Sequence, residues 1–196
     1  MRRRTKGGQT MTGREFSIAT LLHDSPQATE TRLSDAVAVL RSWGMRVGGF
    51  VQRRGPLRPD GRHEMYVEDL RDGGRIRLDR YRGPGAVACT LDMEAMAVLS
   101  MTLRAHIRAR PDILFVNRFG VREAEGGGLR EDIAQAVCEN IPIVVVVGAA
   151  HLQAWRRFIG QNAHVLPSTT RSLLDWARRQ VPMGGSGGRE YVATAP

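Results

Sequence analysis

An α/β fold, with a mostly parallel sheet covered by helices on both faces in three layers, is predicted by three observations. Short apolar runs alternate along the chain with amphipathic segments of helical period, the pattern of successive β-α crossovers. Two of those runs, Ile113-Leu114-Phe115-Val116 and Ile143-Val144-Val145-Val146-Val147, are apolar at every position, as strands buried on both faces are. The chain has 196 residues, 42% of them hydrophobic, enough for one core of ordinary size.

Taken in order, Phe16 to Leu22 reads as the first strand and His23 to Gln27 as the loop after it. From Thr29 to Trp43 the apolar positions Leu33, Val37, Leu40 and Trp43 recur at helical spacing, and Gly44 follows where a helix stop belongs. Arg46 to Gln52 returns as a strand. Gly55, Pro56 and Pro59 then break the pattern, and His63 to Leu70 with Arg75 to Leu78 flank Asp72-Gly73-Gly74 as an inserted β-hairpin. Leu91-Asp92 opens a helix to Arg110, and Ile113 to Val116 is a central strand. Gly126-Gly127-Gly128 precedes the amphipathic segment Leu129 to Asn140, and Pro142 precedes the valine run. Helices over His151 to Ile159 and Thr169 to Gln180 flank the short strand Ala163 to Leu166. Residues 1–14 read as a flexible basic leader, 15–183 as a single domain and 184–196 as a flexible tail, because both ends lack periodic apolar positions.

Composition excludes several function classes. No purely apolar run is longer than Ile143 to Val147, far short of the roughly 20 residues that cross a bilayer, and no apolar segment of signal-peptide type follows the basic N-terminus. A cytoplasmic location without a membrane partner is expected. Cys89 and Cys138 are the two cysteines, in different elements and without a Cys/His cluster, so neither a disulfide framework nor a metal site is predicted. The net charge is +9. Five of the 29 basic residues fall in the first 14 positions, and all but Lys6 are arginine. Without an aromatic nucleic-acid pattern, with aromatics at 6%, that charge reads as a solvated surface and not as a nucleic-acid site.

In an open parallel sheet, ligands bind beyond the carboxyl ends of the strands. That rule selects the loops His23 to Gln27, Asn117 to Gly128 and Gly148 to Gln153, joined by Gln52 and Arg53 at the end of the second strand. His23 has the chemistry of a general base, although no nucleophile accompanies it. Asp24-Ser25-Pro26 offers a hydroxyl and an acceptor, or equally a helix cap. Cys89 before a helix start is either a thiolate or a packing residue, and His151 and Trp155 share a helical face. The run Gly126-Gly127-Gly128 would leave amides open at a helix N-terminus, with Arg118, Arg122 and Arg130 near in sequence, as an oxyanion site requires.

The ordered motifs Ile18 to Leu22, Val47-Gly48-Gly49-Phe50-Val51-Gln52-Arg53, Gly83-Pro84-Gly85 through Cys89-Thr90-Leu91-Asp92, and Phe115-Val116-Asn117-Arg118-Phe119-Gly120 through Glu123-Ala124-Glu125-Gly126-Gly127-Gly128-Leu129-Arg130 carry a resemblance. The chain resembles an uncharacterised bacterial family whose members are often encoded beside molybdate-transport genes. That family is remotely similar to small P-loop nucleoside-triphosphatases. The resemblance implies a degenerate P-loop-like scaffold. Such enzymes carry GxxxxGK[ST] after the first strand. Here the matching segment, His23-Asp24-Ser25-Pro26-Gln27-Ala28-Thr29, has no glycine and no lysine. At the position of the magnesium-binding acid stands Asn117, with Glu123 and Glu125 downstream as water-mediated ligands or ordinary loop carboxylates.

The resulting expectation is a non-hydrolytic protein that binds a small oxyanion or a nucleotide, with molybdate or a nucleotide as ligand and a link to molybdenum metabolism implied by the resemblance alone. The predicted ligand-binding residues are His23, Asp24, Ser25, Gln52, Arg53, Asn117, Arg118, Gly126, Gly127, Gly128 and Arg130. A divergent nucleoside-triphosphatase or phosphatase, with Arg53 or Arg118 in place of lysine, and an arginine-rich interaction module are the competing readings. A homo-oligomer is compatible with all three.

Overall fold

The computed structural model describes residues 17–80, 90–160 and 164–180. The expected leader and tail, Lys6, Cys89 and the Gly83-Pro84-Gly85 motif lie outside the described residues. The order of elements begins β1 (Ile18–His23), α1 (Pro26–Ser42), β2 (Val47–Leu57), β3 (His63–Asp69), β4 (Arg75–Arg77), β5 (Asp79–Arg80) and β6 (Thr90–Leu91). It continues with α2 (Met93–Arg108), β7 (Ile113–Phe119), α3 (Val121–Ala124), α4 (Arg130–Cys138) and β8 (Ile143–Gly148). A 3-10 turn over Ala149–His151, α5 (Leu152–Ile159), β9 (His164–Leu166) and α6 (Thr170–Gln180) complete it.

Seven strands form one mixed sheet in the order β4-β3-β2-β7-β8-β1-β9, and β5 pairs with β6 in a separate two-stranded ribbon. The five strands from β2 to β9 are mutually parallel, while β3 and β4 add antiparallel strands at one edge. The hairpin read from the sequence therefore extends the main sheet. Strand side chains alternate between two cores. Ile18, Phe50, Leu114, Val116, Val145 and Val147 pack with α2, α4 and α5 residues such as Leu103, Ile133 and Trp155. Ala19, Leu21, Val51, Phe115, Val144 and Val146 pack with α1 and α6 through Leu33, Leu40, Leu173 and Trp176. The α/β prediction, with a mostly parallel sheet between two helical layers, holds.

Local chemistry accounts for the element ends. Ser25 caps α1, its Oγ accepting from the Ala28 amide, and Pro26 occupies the first turn, where its missing N–H costs nothing. Asp92 caps α2 by accepting from the Glu94 amide. Gly49 has φ +92°, and a Cβ there would meet the Phe115 backbone carbonyl across the β2–β7 pair, so this close approach admits only glycine. Two strands run further than their apolar runs. β2 continues to Leu57 through an irregularity between Arg54 and Leu57, because β3 pairs with it up to His63. β7 continues through Asn117 and Arg118 to Phe119, which packs edge-on against Trp155, ring centroids 5.0 Å apart.

Buried polar groups are mostly tied between elements. The Trp155 indole donates to the Thr20 hydroxyl at 2.8 Å. Asp132 on α4 accepts from Ser100 and Arg104 on α2, at 2.7 and 2.6 Å. Asp79, almost fully buried, pairs with Arg58 and accepts from the Met65 amide, anchoring the β2–β3 connection against β5.

Candidate functional site

The candidate site lies on the carboxyl side of the parallel strands, the side that also carries the point where the connections diverge. After β1 the chain crosses towards β2 by α1 on one face, and after β8 it crosses towards β9 by α5 on the other face. β1 and β8 are adjacent, so this is the topological switch point at which α/β sheets bind ligands.

At that point the segment after β1 is closed on itself. His23 is the last residue of β1 and not a loop residue. Asp24 accepts from its neighbour, the Ser25 amide, at 2.8 Å, from the Thr29 hydroxyl at 3.0 Å and from Arg32 at 2.8 Å. Because Thr29 gives its one hydroxyl proton to Asp24, His23 Nδ1 is the donor in its 3.1 Å contact with Thr29 Oγ1. The Arg32 guanidinium, aided by those amide and hydroxyl donors, holds the Asp24 carboxyl well below the usual carboxylate range. Burial, with repulsion from Arg118, pushes the His23 imidazole below its ordinary value, against an opposing pull from Asp24. The Ala28 and Thr29 amides go to Ser25, on its Oγ and its carbonyl. Amides that a phosphate-cradling loop would present are thus used within the turn.

The triple-glycine segment is also internally engaged. The Gly126 and Gly127 amides donate to the Glu123 and Arg122 carbonyls. Glu123, only 5% exposed, folds its carboxylate into the loop and accepts from the Gly120 amide at 2.8 Å and the Leu129 amide at 3.1 Å. Gly128, at φ +58°, lies so close to this carboxylate that a Cβ would collide with it. The anion beside the N-terminus of α4 is therefore the protein's own Glu123. Arg130 donates to the Glu123 carbonyl at 3.3 Å, and its guanidinium lies 4.2 Å from the Phe158 ring centroid. Arg53 is held by Glu68, Glu30 and Ser34, the last at 2.6 Å.

A cavity of about 290 Å³ opens at the carboxyl ends of β2 and β7. Phe50, Val116 and Leu99 form its sheet and α2 walls, and Met65, Val67 and Leu78 close it from the hairpin side. Its polar lining comes from Gln52, Asn117, Arg118 and Arg122, with Glu123 already engaged as described. Asn117 is 8% exposed. Among the described residues, neither its carboxamide nor that of Gln52 has a hydrogen-bond partner, and Arg118 has neither a hydrogen bond nor an ion pair. Arg122 makes one weak contact, with Met93 Sδ at 3.4 Å. A narrow cleft of about 20 Å³, lined by His23, Thr29, Arg53, Gln52 and Asn117, reaches back from this cavity towards β1. It is no larger than one water molecule.

Of the residues singled out in the sequence, Gln52, Asn117 and Arg118 meet at the cavity, while His23 and Arg53 border the cleft. Asp24, Ser25, Gly126, Gly127, Gly128 and Arg130 line neither. The apolar walls were not singled out. Their signal was present in the alternation of Met65 and Val67 along His63–Asp69, which puts both on one side of β3. Among the described residues no group of three His, Cys, Asp or Glu is placed to hold a metal ion, and no helix is long and apolar enough to cross a membrane.

Comparison with known proteins gives a family and one curated relative. The chain is 31% identical over 161 residues to the Molybdenum import ATP-binding protein ModC 2 of Bradyrhizobium diazoefficiens, covering 82% of this chain and 18% of that protein. It therefore spans less than a fifth of the length of the curated relative it matches. No solved structure gives a significant match. A family model described as "Protein of unknown function (DUF2478)" matches residues 18–176, from the first residue of β1 into α6, and the chain belongs to that family.

Proposed function

We propose that this protein binds a small anion-bearing ligand, a nucleotide or an oxyanion, on a degenerate P-loop-like scaffold and does not hydrolyse it. The observation that carries the reading is the unpartnered polar set at the cavity, Asn117 and Gln52 with the free guanidinium of Arg118. Carboxamides that face the cavity without a protein partner have donors and acceptors that a ligand can take in place of water. The P-loop-like character is supported by the alternating β-α order, the five parallel strands and the similarity to an ATP-binding protein of molybdenum import. That similarity also supports a place in molybdenum handling.

Against hydrolysis stands the chemistry of the segment after β1. A phosphate brought there would meet the Asp24 carboxylate, and the nearby amides already have acceptors. Asn117 carries no charge for a magnesium ion, and Arg53 is neutralised by Glu68 and Glu30.

A thermal-shift series with nucleotides, molybdate, tungstate, phosphate and sulfate tests binding, run beside a phosphate-release assay with magnesium. Ligands that bind only the folded state raise its stability by about 2.7 kcal/mol at 100 times the dissociation constant. Stabilisation by at least one of these ligands without phosphate release is the expected result. Stabilisation by none defeats the binding reading, and magnesium-dependent release of phosphate defeats the non-hydrolytic one.

A further inference from the structure

The cavity differs from an oxyanion site in one respect that decides what fits it. Most of its wall is hydrocarbon from Phe50, Met65, Val67, Leu78, Leu99 and Val116. A bare oxyanion drawn into such a space gives up its hydration without enough donors in return. Its cations, Arg118 and Arg122, are exposed and mark the mouth, whereas its two carboxamides are a buried and a half-buried group. The polarity of the cavity therefore runs from an apolar interior, with amide hydrogen-bonding capacity, to a cationic rim.

Resting on the binding reading above, we propose that the occupant is a nucleoside monophosphate. Its base lies among Phe50, Val67, Leu99 and Val116, with the polar edge of the ring on the carboxamides of Asn117 and Gln52, and its phosphate lies at Arg118 and Arg122. A carboxamide presents one acceptor beside two donors, which matches the adjacent donor and acceptor on the edge of a nucleobase. Gln52 and Asn117 sit on neighbouring strands just beyond the last paired residues, Phe50 and Val116, so both reach the same space. Arg118 has no carboxylate to neutralise it among the described residues, and the two oxygens of Glu123 are taken by the Gly120 and Leu129 amides. At about 290 Å³ the space is at the small end of ligand pockets, which run from roughly 300 to 1,000 Å³. It suits one ring system and not a dinucleotide. This place is distinct from the turn after β1, where Asp24 and its donors fill the corresponding position.

Calorimetric titration of the full chain with AMP, GMP, UMP, adenosine, ribose 5-phosphate and molybdate tests the assignment. At least one nucleoside monophosphate binds about tenfold or more tightly than both ribose 5-phosphate and adenosine, the discrimination that a bidentate base contact and a phosphate contact each provide. Asn117→Leu and, independently, Gln52→Leu weaken nucleotide binding by a similar factor and leave ribose 5-phosphate unchanged, while Arg118→Gln reduces the nucleotide to the affinity of the nucleoside. Melting curves of each variant confirm folding, and the two carboxamide variants serve as replacements for one another. Ribose 5-phosphate or molybdate binding as tightly as every nucleotide overturns the nucleotide assignment while leaving the anion-binding function intact. Failure of all six to bind overturns the nucleoside monophosphate assignment, and the thermal-shift series decides the anion-binding function separately.

Discussion

The turn after β1 and the cavity at the ends of β2 and β7 lie on the same edge of the sheet, yet they treat their polar groups in opposite ways. In the turn, Asp24, Ser25, Thr29, His23 and Arg32 satisfy one another. At the cavity, Asn117, Gln52 and Arg118 have no such partners among the described residues. The Gly126–Gly128 segment sides with the turn, because the Gly126 and Gly127 amides go to backbone carbonyls and the Glu123 carboxylate takes the flanking Gly120 and Leu129 amides. Position at a carboxyl edge is therefore not enough to make a binding site. What distinguishes the candidate site is hydrogen-bonding capacity left open in a largely apolar cavity that a ligand can enter.

Substitutions can break this contrast, and the largest effect is expected at Glu123. Glu123→Ala leaves the Gly120 and Leu129 amides without their charged acceptor, and a loss of about 3 kcal/mol in urea unfolding is expected, since each bond to a charged group is worth roughly 1.5–3 kcal/mol. A change under about 0.5 kcal/mol would show that this carboxylate does not organise the loop. Gly128→Ala acts on the same contact from the other side. It adds a Cβ against the Glu123 carboxylate at a positive φ, and should cost about 1–3 kcal/mol, read as a lowered melting temperature.

Asn117→Leu should behave in the opposite sense. It removes a carboxamide without a protein partner from a largely buried residue, so stability is kept or raised by up to about 1 kcal/mol, while thermal stabilisation by a nucleotide shrinks. A destabilised protein that still binds would place Asn117 in the structural class with Glu123.

The turn after β1 should respond least. Asp24 is about half exposed, with 47% of its side chain accessible, so Asp24→Asn is expected to cost no more than about 1 kcal/mol, partly screened by salt. Its folded-state pKa is depressed, chiefly by Arg32. The ionised form thus contributes stability above the ordinary carboxylate range, and that contribution is lost as pH falls through the folded value. The wild-type advantage over Asp24→Asn in denaturant should shrink accordingly in acid. His23 adds a smaller term of the same sign. Burial first, and Arg118 second, lower its pKa from 6.5, so stability is full above that value and declines as pH falls below it. His23→Gln should flatten the melting temperature between pH 7 and lower values of about 5; an unchanged slope would remove His23 from the account.

The amino-acid sequence by itself determined the layered α/β architecture, because the valine run and the helical spacing of Leu33, Val37 and Leu40 are local patterns whose burial any fold must satisfy. It also determined that the turn after β1 has neither glycine nor lysine, and that an asparagine, Asn117, follows the apolar run of β7. The chain order of β7, with polar Asn117 and Arg118 following an apolar run, read as a loop, and only pairing with β8 and the packing of Phe119 on Trp155 keep it in the sheet. Tertiary structure alone decided where the anion of the glycine loop comes from, since Glu123 reaches the Leu129 amide by a fold of the chain that spacing does not specify. It alone enclosed the cavity, because Met65 and Val67 reach it only once β3 has paired with β2. Burial and hydrogen-bond closure are properties of distant segments brought together, and they separate the residues that hold the loops from those left open to a ligand.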